Sequence, residues 1–488
     1  MKITSLTIGG FKGIKNKATI PLAPITLFFG ANSTGKSTVL HALLYLYEVI
    51  AKRNFDAQYS SIAGEALYFG GFHNLVHGKH LDGVITLGAT LDFRDGAADI
   101  WDDYLSEPER ELVEEALNTS PDFEAEVLSF EIDIRWDKQK NSVFISRYES
   151  RVSDGLVFKS VATEGKHYTS IPFFNPLVNS GINSVEFEQS EGLNILGGEI
   201  QIKSVDALPK LSQRIDLSRY PVSWEVVNSE HPLCARLMVE GVMSQVALAP
   251  IKILIKKLDA LLHIGPLRVL PSRATVLNSE HSSKRWYDGT SGWERFAFAD
   301  ESIKQKINEK FSSSLFFGTN YSFAALSYGE ATMMEKAIVL KDSHAEIPLS
   351  PSSVGVGVSQ VFPFVVATSL EQNLIVSCEQ PELHIHPKWQ LSLADMMLEA
   401  VHKNPERMFF IESHSEHILL RLLKRRRQTA DGEISYLPFG CKKQDVQIVF
   451  CEQLQGQTKL LPIKTTDEGE FDAPWPNGFF EERGEELF

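Results

Sequence analysis

The chain has 488 residues, of which 43% are hydrophobic and 23% are charged, as in a folded protein with two or three lobes. The formal net charge of −15 excludes nucleic-acid binding by overall attraction and leaves only a local basic patch for it. The four cysteines have no CxxC spacing, and no apolar stretch is long enough for a signal peptide or a membrane span. We therefore predict a cytoplasmic protein with reduced thiols and no membrane contact.

The first predicted elements are a strand, a glycine loop and a helix. "ATIPLAPITLFF" is strand-like, "GANSTGKST" follows it, and apolar residues then recur at helical spacing from Val39 to Tyr47. Residues 30–37 fit the phosphate-loop pattern G-x-x-x-x-G-K-[ST]. The alternative is a simple glycine turn between strand and helix, but such a turn would not require this pattern. In such a loop Lys36 reaches the nucleotide phosphates and Ser37 binds Mg²⁺. The predicted ATP-binding residues are Gly30, Ala31, Asn32, Ser33, Thr34, Gly35, Lys36, Ser37 and Thr38.

The middle of the chain, residues 95–262, mixes an acidic helical stretch, "SEPERELVEEALN", with strand-like pieces and many turn residues. No a/d heptad is sustained over several repeats, so we predict no long coiled-coil arm.

From "HIGPLRVLPSR" onward, helical and buried-strand patterns alternate and predict a parallel sheet covered by helices. Within "SSVGVGVSQVFPF", Pro363 would cost little only in the first turn of a helix, so we expect a helix to begin near Val358 or Ser359. The glycine segment before this helix would be either a flexible loop or a second anion-binding site. In the second case, the site would face a partner molecule's phosphate loop. The second alternative involves Gly355, Gly357, Ser359 and Gln360.

Acidic and histidine side chains follow two buried strands. "LIVSCEQPELHIHP" carries Glu379, Gln380 and Glu382, and "RMFFIESH" ends at His414. We interpret these four residues as candidate catalytic groups: a Mg²⁺ contact, a group that orients water, and a sensor of the γ-phosphate. One alternative is a metal site formed by His384 and His386 with a carboxylate, and another is a set of ordinary hydrogen-bonded histidines.

After His414, Ser415 is expected to cap a helix whose apolar residues form one face. Basic residues are expected on the opposite face, as a solvated surface or as a contact for DNA or a partner. They are Arg421, Lys424, Arg425 and Arg427.

Five motifs in this order resemble the ABC-like ATPase heads related to chromosome-maintenance, RecF and overcoming-lysogenisation-defect proteins. They are "FKGI", "GANSTGKST", "VGVGVSQVFPF", "CEQPELHIHP" and "ESHSEHILLRL". A bacterial subgroup with "IGPLR", "GVSQV" and a Trp-Pro-x-Gly-Phe-Phe ending is closer still, and here that ending is "WPNGFFEE". The resemblance covers residues 1–90 and 260–488.

The resemblance implies an α/β fold: an ABC-type head with a mixed β-sheet, flanking helices and an α+β insertion. The implied domains are an N-lobe with the Walker A loop (residues 1–95), the insertion (96–262), a C-lobe (263–450) and a short C-terminal extension (451–488).

The resemblance also implies site roles. Glu379 takes the Walker B position and contacts Mg²⁺, residues 381–387 form the D-loop, and His414 is the switch histidine. Gly355, Gly357, Ser359 and Gln360 form the signature that reaches a partner's γ-phosphate. "GGFHNLVHGK" corresponds to the Q-loop region, without a glutamine.

Two residues depart from the family pattern. Gly355 replaces the signature serine, and Gln380 replaces the catalytic glutamate, so it could orient water without accepting a proton. An alternative register makes Glu379 the base and leaves Cys378 at the Mg²⁺ position.

The functional hypothesis that follows is an ATPase that binds ATP and Mg²⁺ between two heads of a homodimer or larger assembly and hydrolyses ATP slowly. Through the resemblance it would control a separate nuclease or toxin in antiphage defence. The alternatives are a RecF-like DNA repair or recombination ATPase and a scaffold that binds ATP without cleaving it.

Overall fold

The computed structural model describes residues 2–94, 104–109, 111, 126–153, 155–174, 200–218, 232–270, 275–276, 283–328, 335–343, 348–353, 355–371, 375–433 and 439–476. The chain divides into two compact units. The first unit contains residues 1–21, 45–57 and 70–259, and the second contains residues 22–44, 58–69 and 260–488.

The strands are β1 (Lys2–Gly9), β2 (Ala18–Pro21), β3 (Ile25–Phe29), β4 (Tyr59–Ser60), β5 (Gly64–Tyr68), β6 (Ile85–Asp92), β7 (Val127–Asp137), β8 (Ser142–Val152), β9 (Gly155–Ala162), β10 (Thr169–Phe174), β11 (Ile200–Ile202), β12 (Leu261–Ile264), β13 (Thr275–Val276), β14 (Tyr321–Tyr328), β15 (Glu335–Asp342), β16 (Pro348–Leu349), β17 (Ile375–Glu379), β18 (Met408–Glu412), β19 (Val446–Leu454) and β20 (Gln457–Ile463). The helices are α1 (Lys36–Lys52), α2 (Gly71–Leu75), α3 (Pro232–Leu258), α4 (Thr290–Phe298), α5 (Glu301–Ser312), α6 (Val356–Ser369), α7 (Pro387–Lys403) and α8 (Glu416–Ala430).

The first unit is built on an eight-stranded antiparallel sheet in the order β11-β10-β9-β8-β7-β6-β1-β2. Alternate residues of β7 are buried, as expected for a strand with one face in a core. The helix α3 contains Pro250, which has no N–H for the carbonyl of Val246 four residues earlier. Ser150 of β8 donates to that carbonyl at 2.7 Å, so the sheet satisfies the group that the proline leaves free.

This sheet crosses a predicted domain boundary. Strands β7 to β11 lie in the predicted insertion, yet β7 pairs directly with β6, and β6 pairs with β1. The structure therefore divides the chain differently from the sequence prediction, because hydrogen bonding along one sheet joins residues on both sides of position 95.

The second unit contains a six-stranded sheet in the order β12-β17-β18-β3-β19-β20. The first five strands are parallel, and β20 returns antiparallel to β19. Every residue of β3, β17 and β18 is buried, as in a sheet covered on both faces. The predicted α/β fold with a mixed sheet and flanking helices is confirmed, and the described residues contain no coiled-coil arm.

Two smaller sheets complete this unit. One has the order β13-β15-β14 with β16 beside β15, and the other is the β4–β5 pair. None of the helices in the described ranges combines the length and the apolar character needed to cross a membrane.

The start of α6 differs from the prediction. Gly355 is its N-cap and the helix begins at Val356, so Pro363 lies inside the helix and not in its first turn. A neighbouring helix makes room for the proline: a Cβ on Gly292 of α4 would lie 2.7 Å from the Cα of Pro363. The ring of Phe362 also stacks on Trp293, with centroids 3.8 Å apart. Tertiary packing therefore stabilises a helix that local propensity would have started later.

The C-terminal tryptophan has a structural role. Trp475 is buried and packs edge-on against Phe29 of β3, Phe450 of β19 and Phe471, with centroid distances of 5.9, 5.8 and 5.1 Å. Within the predicted C-terminal extension, Trp475 therefore belongs to the core of the second unit. The rest of the "WPNGFFEE" motif, from residue 477, lies outside the described residues.

Candidate functional site

The loop between β3 and α1 has the backbone that its glycines predict. Gly30 and Gly35 have φ of +148° and +97°, where a side chain would be strained. A Cβ on Gly35 would lie 2.5 Å from the hydroxyl of Thr458, and that hydroxyl donates to the carbonyl of Thr34 at 3.0 Å. Thr458 of β20 therefore holds the phosphate loop in place through this hydrogen bond. Only glycine fits at position 35, because a side chain would collide with Thr458.

Lys36 is the buried cation of this loop. Its Nζ donates to the carbonyl oxygens of Gly30, at 3.1 Å, and Ala31, at 2.8 Å, and the residue is 4% exposed. Burial lowers the pKa of Lys36, and the nearby carboxylate of Glu412 partly opposes this effect. The ammonium group thus lies inside the loop, where a phosphate could bind.

The hydroxyl of Ser37 donates to Glu412 Oε2 at 2.6 Å. Glu412 ends β18, the strand between β3 and β17, and is 5% exposed. Burial raises its pKa to about 7, and the charge of Glu379 acts in the same direction. Glu412 was not among the predicted site residues. Its position at the end of the buried run "MFFIE" was a signal for it, because ligands bind at the carboxyl ends of parallel strands.

Glu379 ends β17 at the same edge of the sheet but has different neighbours. Its Oε1 lies 3.2 Å from Nε2 of His263, on β12, and 3.5 Å from Nε2 of His41, on α1. Burial by itself would raise the pKa of Glu379, but the two histidines outweigh it and hold the pKa below its usual value. Neither histidine was among the predicted site residues, because both lie far from Glu379 in the chain.

The remaining predicted catalytic residues lie in the two segments that follow these strands. Gln380 has a left-handed backbone, with φ of +44°, and its N–H donates to the carbonyl of Glu412 at 2.8 Å. Glu382 accepts a hydrogen bond from the backbone N–H of His414 at 2.7 Å. Burial raises the pKa of Glu382 and lowers that of His414. The predicted D-loop and switch segment are therefore joined through Glu382.

In the predicted signature, the backbone of the two glycines is accessible, whereas the side chains of the serine and the glutamine are buried. Gly355 is exposed and Gly357 is half-buried at the start of α6. Ser359 is buried and donates to the carbonyl of Val356 at 2.6 Å. Gln360 is buried and donates to the carbonyl of Arg268 at 2.8 Å. Any contact with a ligand at this helix start would therefore come from backbone N–H groups.

Arg268, from the "IGPLR" stretch, joins α6 to the end of β17. Its guanidinium donates to the carbonyl of Gln360, at 3.3 Å, and to that of Gln380, at 3.2 Å, while the carbonyl of Arg268 accepts from Gln360. Arg268 is buried. The motif "IGPLR" did not by itself indicate a role for this arginine.

The alternative metal site is not found. His386 is the N-cap of α7, where its Nδ1 accepts from the backbone N–H of Lys388 at 3.1 Å. In the part of the chain that the structure describes, no group of three or more His, Cys, Asp or Glu side chains could hold a metal ion. Ser37 and the two carboxylates at the strand ends instead provide oxygen donors, the type that Mg²⁺ prefers.

The basic residues of α8 do not form one solvated face. Ser415 caps the helix as predicted, accepting from the N–H of Ile418 at 3.2 Å. Arg425 is buried and forms a bidentate pair with Asp395, at 2.7 and 2.8 Å, so the prediction that it lies on the outer face is wrong. Arg421 lies 3.4 Å from the same carboxylate. The exposed members of the run are Lys424 and Arg427.

Comparison with known proteins gives one family and a set of structures. Residues 1–151 match the AAA ATPase domain, AAA_15, and this range includes the whole phosphate loop. The match supports an ATPase. No curated protein matches the chain.

Three of the similar solved structures are Smc head domains. One is an Smc head bound to the C-winged helix domain of ScpA, with 12% identity, a TM-score of 0.41, and coverage of 95% of this chain and 97% of that one. Another is the SMC head domain from Thermotoga maritima, with 9% identity, a TM-score of 0.38, and coverage of 95% and 100%. A third is an Smc head with an extended coiled coil, bound to the C-terminal domain of ScpA derived from Pyrococcus furiosus, with 12% identity, a TM-score of 0.39, and coverage of 100% and 98%.

Proposed function

We propose that this protein is an ABC-type ATPase that binds ATP and Mg²⁺ between two heads, hydrolyses ATP slowly and controls a separate nuclease or toxin in antiphage defence. One observation carries the proposal: Lys36 and Ser37 of the phosphate loop lie at the same sheet edge as the carboxylates that end β17 and β18, and Ser37 contacts one of them directly.

The chemistry follows from the side chains at this edge. Lys36 would turn from the loop carbonyls to the β- and γ-phosphates, while Ser37 and Glu379 would contact Mg²⁺. Held by these residues, Mg²⁺ would neutralise the negative charge that develops on the phosphates. Gln380 would orient the attacking water but cannot take its proton, which predicts slow turnover. His414 would sense the γ-phosphate.

The second head would complete the site. The accessible backbone from Gly355 to Gly357 begins a helix, where N–H groups and the positive helix end favour an anion. A partner's γ-phosphate would bind there in a homodimer or a higher oligomer. The internal hydrogen bonds of Ser359 and Gln360 would hold α6 in position for this contact.

Control of a separate effector rests on the family resemblance. Gln380 occupies the position where a catalytic glutamate would speed hydrolysis, so the site would close on ATP and reopen slowly. Such a site suits a regulatory switch. The DNA-repair alternative is less well supported, because Arg425 is paired with Asp395 and so cannot serve as a contact for DNA phosphates.

The test measures ATP binding, hydrolysis and mass in solution. We expect the full chain to bind ATP through Lys36, to dimerise with ATP and Mg²⁺ by light scattering, and to turn over slowly. Co-purification with the products of neighbouring genes would identify the effector. A monomer with fast, partner-independent turnover would refute the proposal.

Gln380→Glu tests the catalytic assignment. We expect faster hydrolysis per subunit, because a carboxylate can accept the proton of water. Gln455→Glu makes the same chemical change in the exposed β19–β20 turn and should leave the rate unchanged. If Gln380→Glu leaves the rate of hydrolysis unchanged in a chain that binds ATP, Gln380 is not at the catalytic position and the assignment of this segment is wrong.

A further inference from the structure

Two carboxylates end adjacent parallel strands, and their contacts differ. Glu412 is hydrogen-bonded to the Ser37 hydroxyl at 2.6 Å. Glu379 lies within 3.2 and 3.5 Å of the Nε2 atoms of His263 and His41. Glu379 and Glu412 are register partners in the parallel pairing of β17 and β18, so they lie side by side. The Walker A hydroxyl therefore meets the carboxylate from β18 and not the one from the predicted Walker B strand.

We propose that Glu412 is a direct ligand of the nucleotide-bound Mg²⁺, next to Ser37, and that Glu379 is held beside it by the two histidines. The inference rests on the proposed function and adds a metal-binding residue to it. The motif pattern had assigned the metal to Ser37 and Glu379 alone.

The geometry suits adjacent positions on one ion. Mg²⁺ binds oxygen at about 2.1 Å in octahedral geometry, so two neighbouring ligands lie about 3.0 Å apart. The observed 2.6 Å between Ser37 Oγ and Glu412 Oε2 would need to widen by only a few tenths of an ångström. Mg²⁺ in phosphate sites also commonly takes one or two carboxylates together with phosphate oxygens.

The burial of Glu412 supports the same conclusion. Only 5% of the residue is exposed. The Ser37 hydroxyl donates to its carboxylate, and the N–H of Gln380 donates to its backbone carbonyl. Lys36 lies close enough to act on Glu412 electrostatically, and it is the loop cation expected at the phosphates. Glu412 therefore lies beside a second buried carboxylate, Glu379. A divalent cation bound between the two carboxylates would stabilise both of their negative charges.

The test uses the full-length chain, fluorescent ATP and Mg²⁺, and measures binding rather than turnover. ATP affinity is determined in EDTA and then as a function of free Mg²⁺, for the wild type and for Glu412→Gln, Glu379→Gln and Glu433→Gln. Glu433 is exposed and provides the matched control for loss of one carboxylate. We expect Glu412→Gln to raise the half-saturating Mg²⁺ concentration about tenfold or more, to keep its affinity in EDTA, and to differ from the control.

The outcomes separate the two proposals. Half-saturation of Glu412→Gln within twofold of the wild type overturns the metal assignment, whatever Glu379→Gln does. Failure of the wild type to bind ATP overturns the proposed function, and the inference falls with it. Circular dichroism checks the fold; if the Gln variant does not fold, Glu412→Asp decides, because a shortened direct ligand should also shift the Mg²⁺ dependence while leaving ATP affinity in EDTA unchanged.

Discussion

Replacing Glu412 by Gln should change how the stability of the protein depends on pH. The carboxyl is 5% exposed, and burial followed by the charge of Glu379 raises its pKa to about 7, against an ordinary 4.5. The hydrogen bond from Ser37 and the charge of Lys36 act in the opposite direction without cancelling the rise. Glutamine keeps the shape and the hydrogen-bond acceptor but cannot ionise.

The sign follows from proton linkage. The folded protein binds this proton more tightly than the unfolded chain, so the contribution of Glu412 to stability is fully present below pH 4.5 and is lost as the pH rises through 7. A pKa difference of about 2.5, at 1.36 kcal/mol for each pH unit, corresponds to about 3 kcal/mol. Glu379 acts in the opposite sense, since its pKa is lowered and its contribution is lost only as the pH falls below its ordinary value.

The assay is urea unfolding between pH 5 and 8 in EDTA and without nucleotide. The free energy of unfolding of the wild type should fall relative to that of Glu412→Gln by about 2 to 3 kcal/mol across this range. Glu433→Gln should follow the wild type at every pH. Parallel curves for the wild type and Glu412→Gln would show that the buried carboxyl does not titrate in this range and would refute the reasoning.

Two further predictions concern stability. Trp475→Ala should lower the free energy of unfolding by about 3 to 5 kcal/mol, because it removes a large buried ring from β3 and β19, and Trp475→Phe should lose much less; equal losses in urea unfolding would contradict this packing role. Asp395→Ala should cost about 3 to 5 kcal/mol, because it leaves Arg425 buried without its bidentate partner. The double variant Asp395→Leu/Arg425→Met should recover a large part of that loss in the same assay, and a double variant no better than Asp395→Ala would count against the pair.

The sequence predicted those features that depend on neighbouring residues in the chain. The strand, glycine loop and helix around Lys36 follow from local pattern, since glycine is needed where φ is positive. The cap at Ser415 follows from side-chain chemistry at a helix start. The buried strands β17 and β18 were also visible, because uninterrupted apolar runs indicate strands covered on both faces.

The tertiary structure alone decided which side chains meet at the site. Ser37 and Glu412 are 375 positions apart in the chain, and parallel strand order brings them to hydrogen-bond distance. The same order sets His263 beside Glu379. Arg425 shows the converse case: its position in a basic run suggested exposure, but Asp395 on the adjacent helix pairs with it in the interior. Local pattern specifies elements and their ends, whereas the order of strands in the sheet determines which ends share a site.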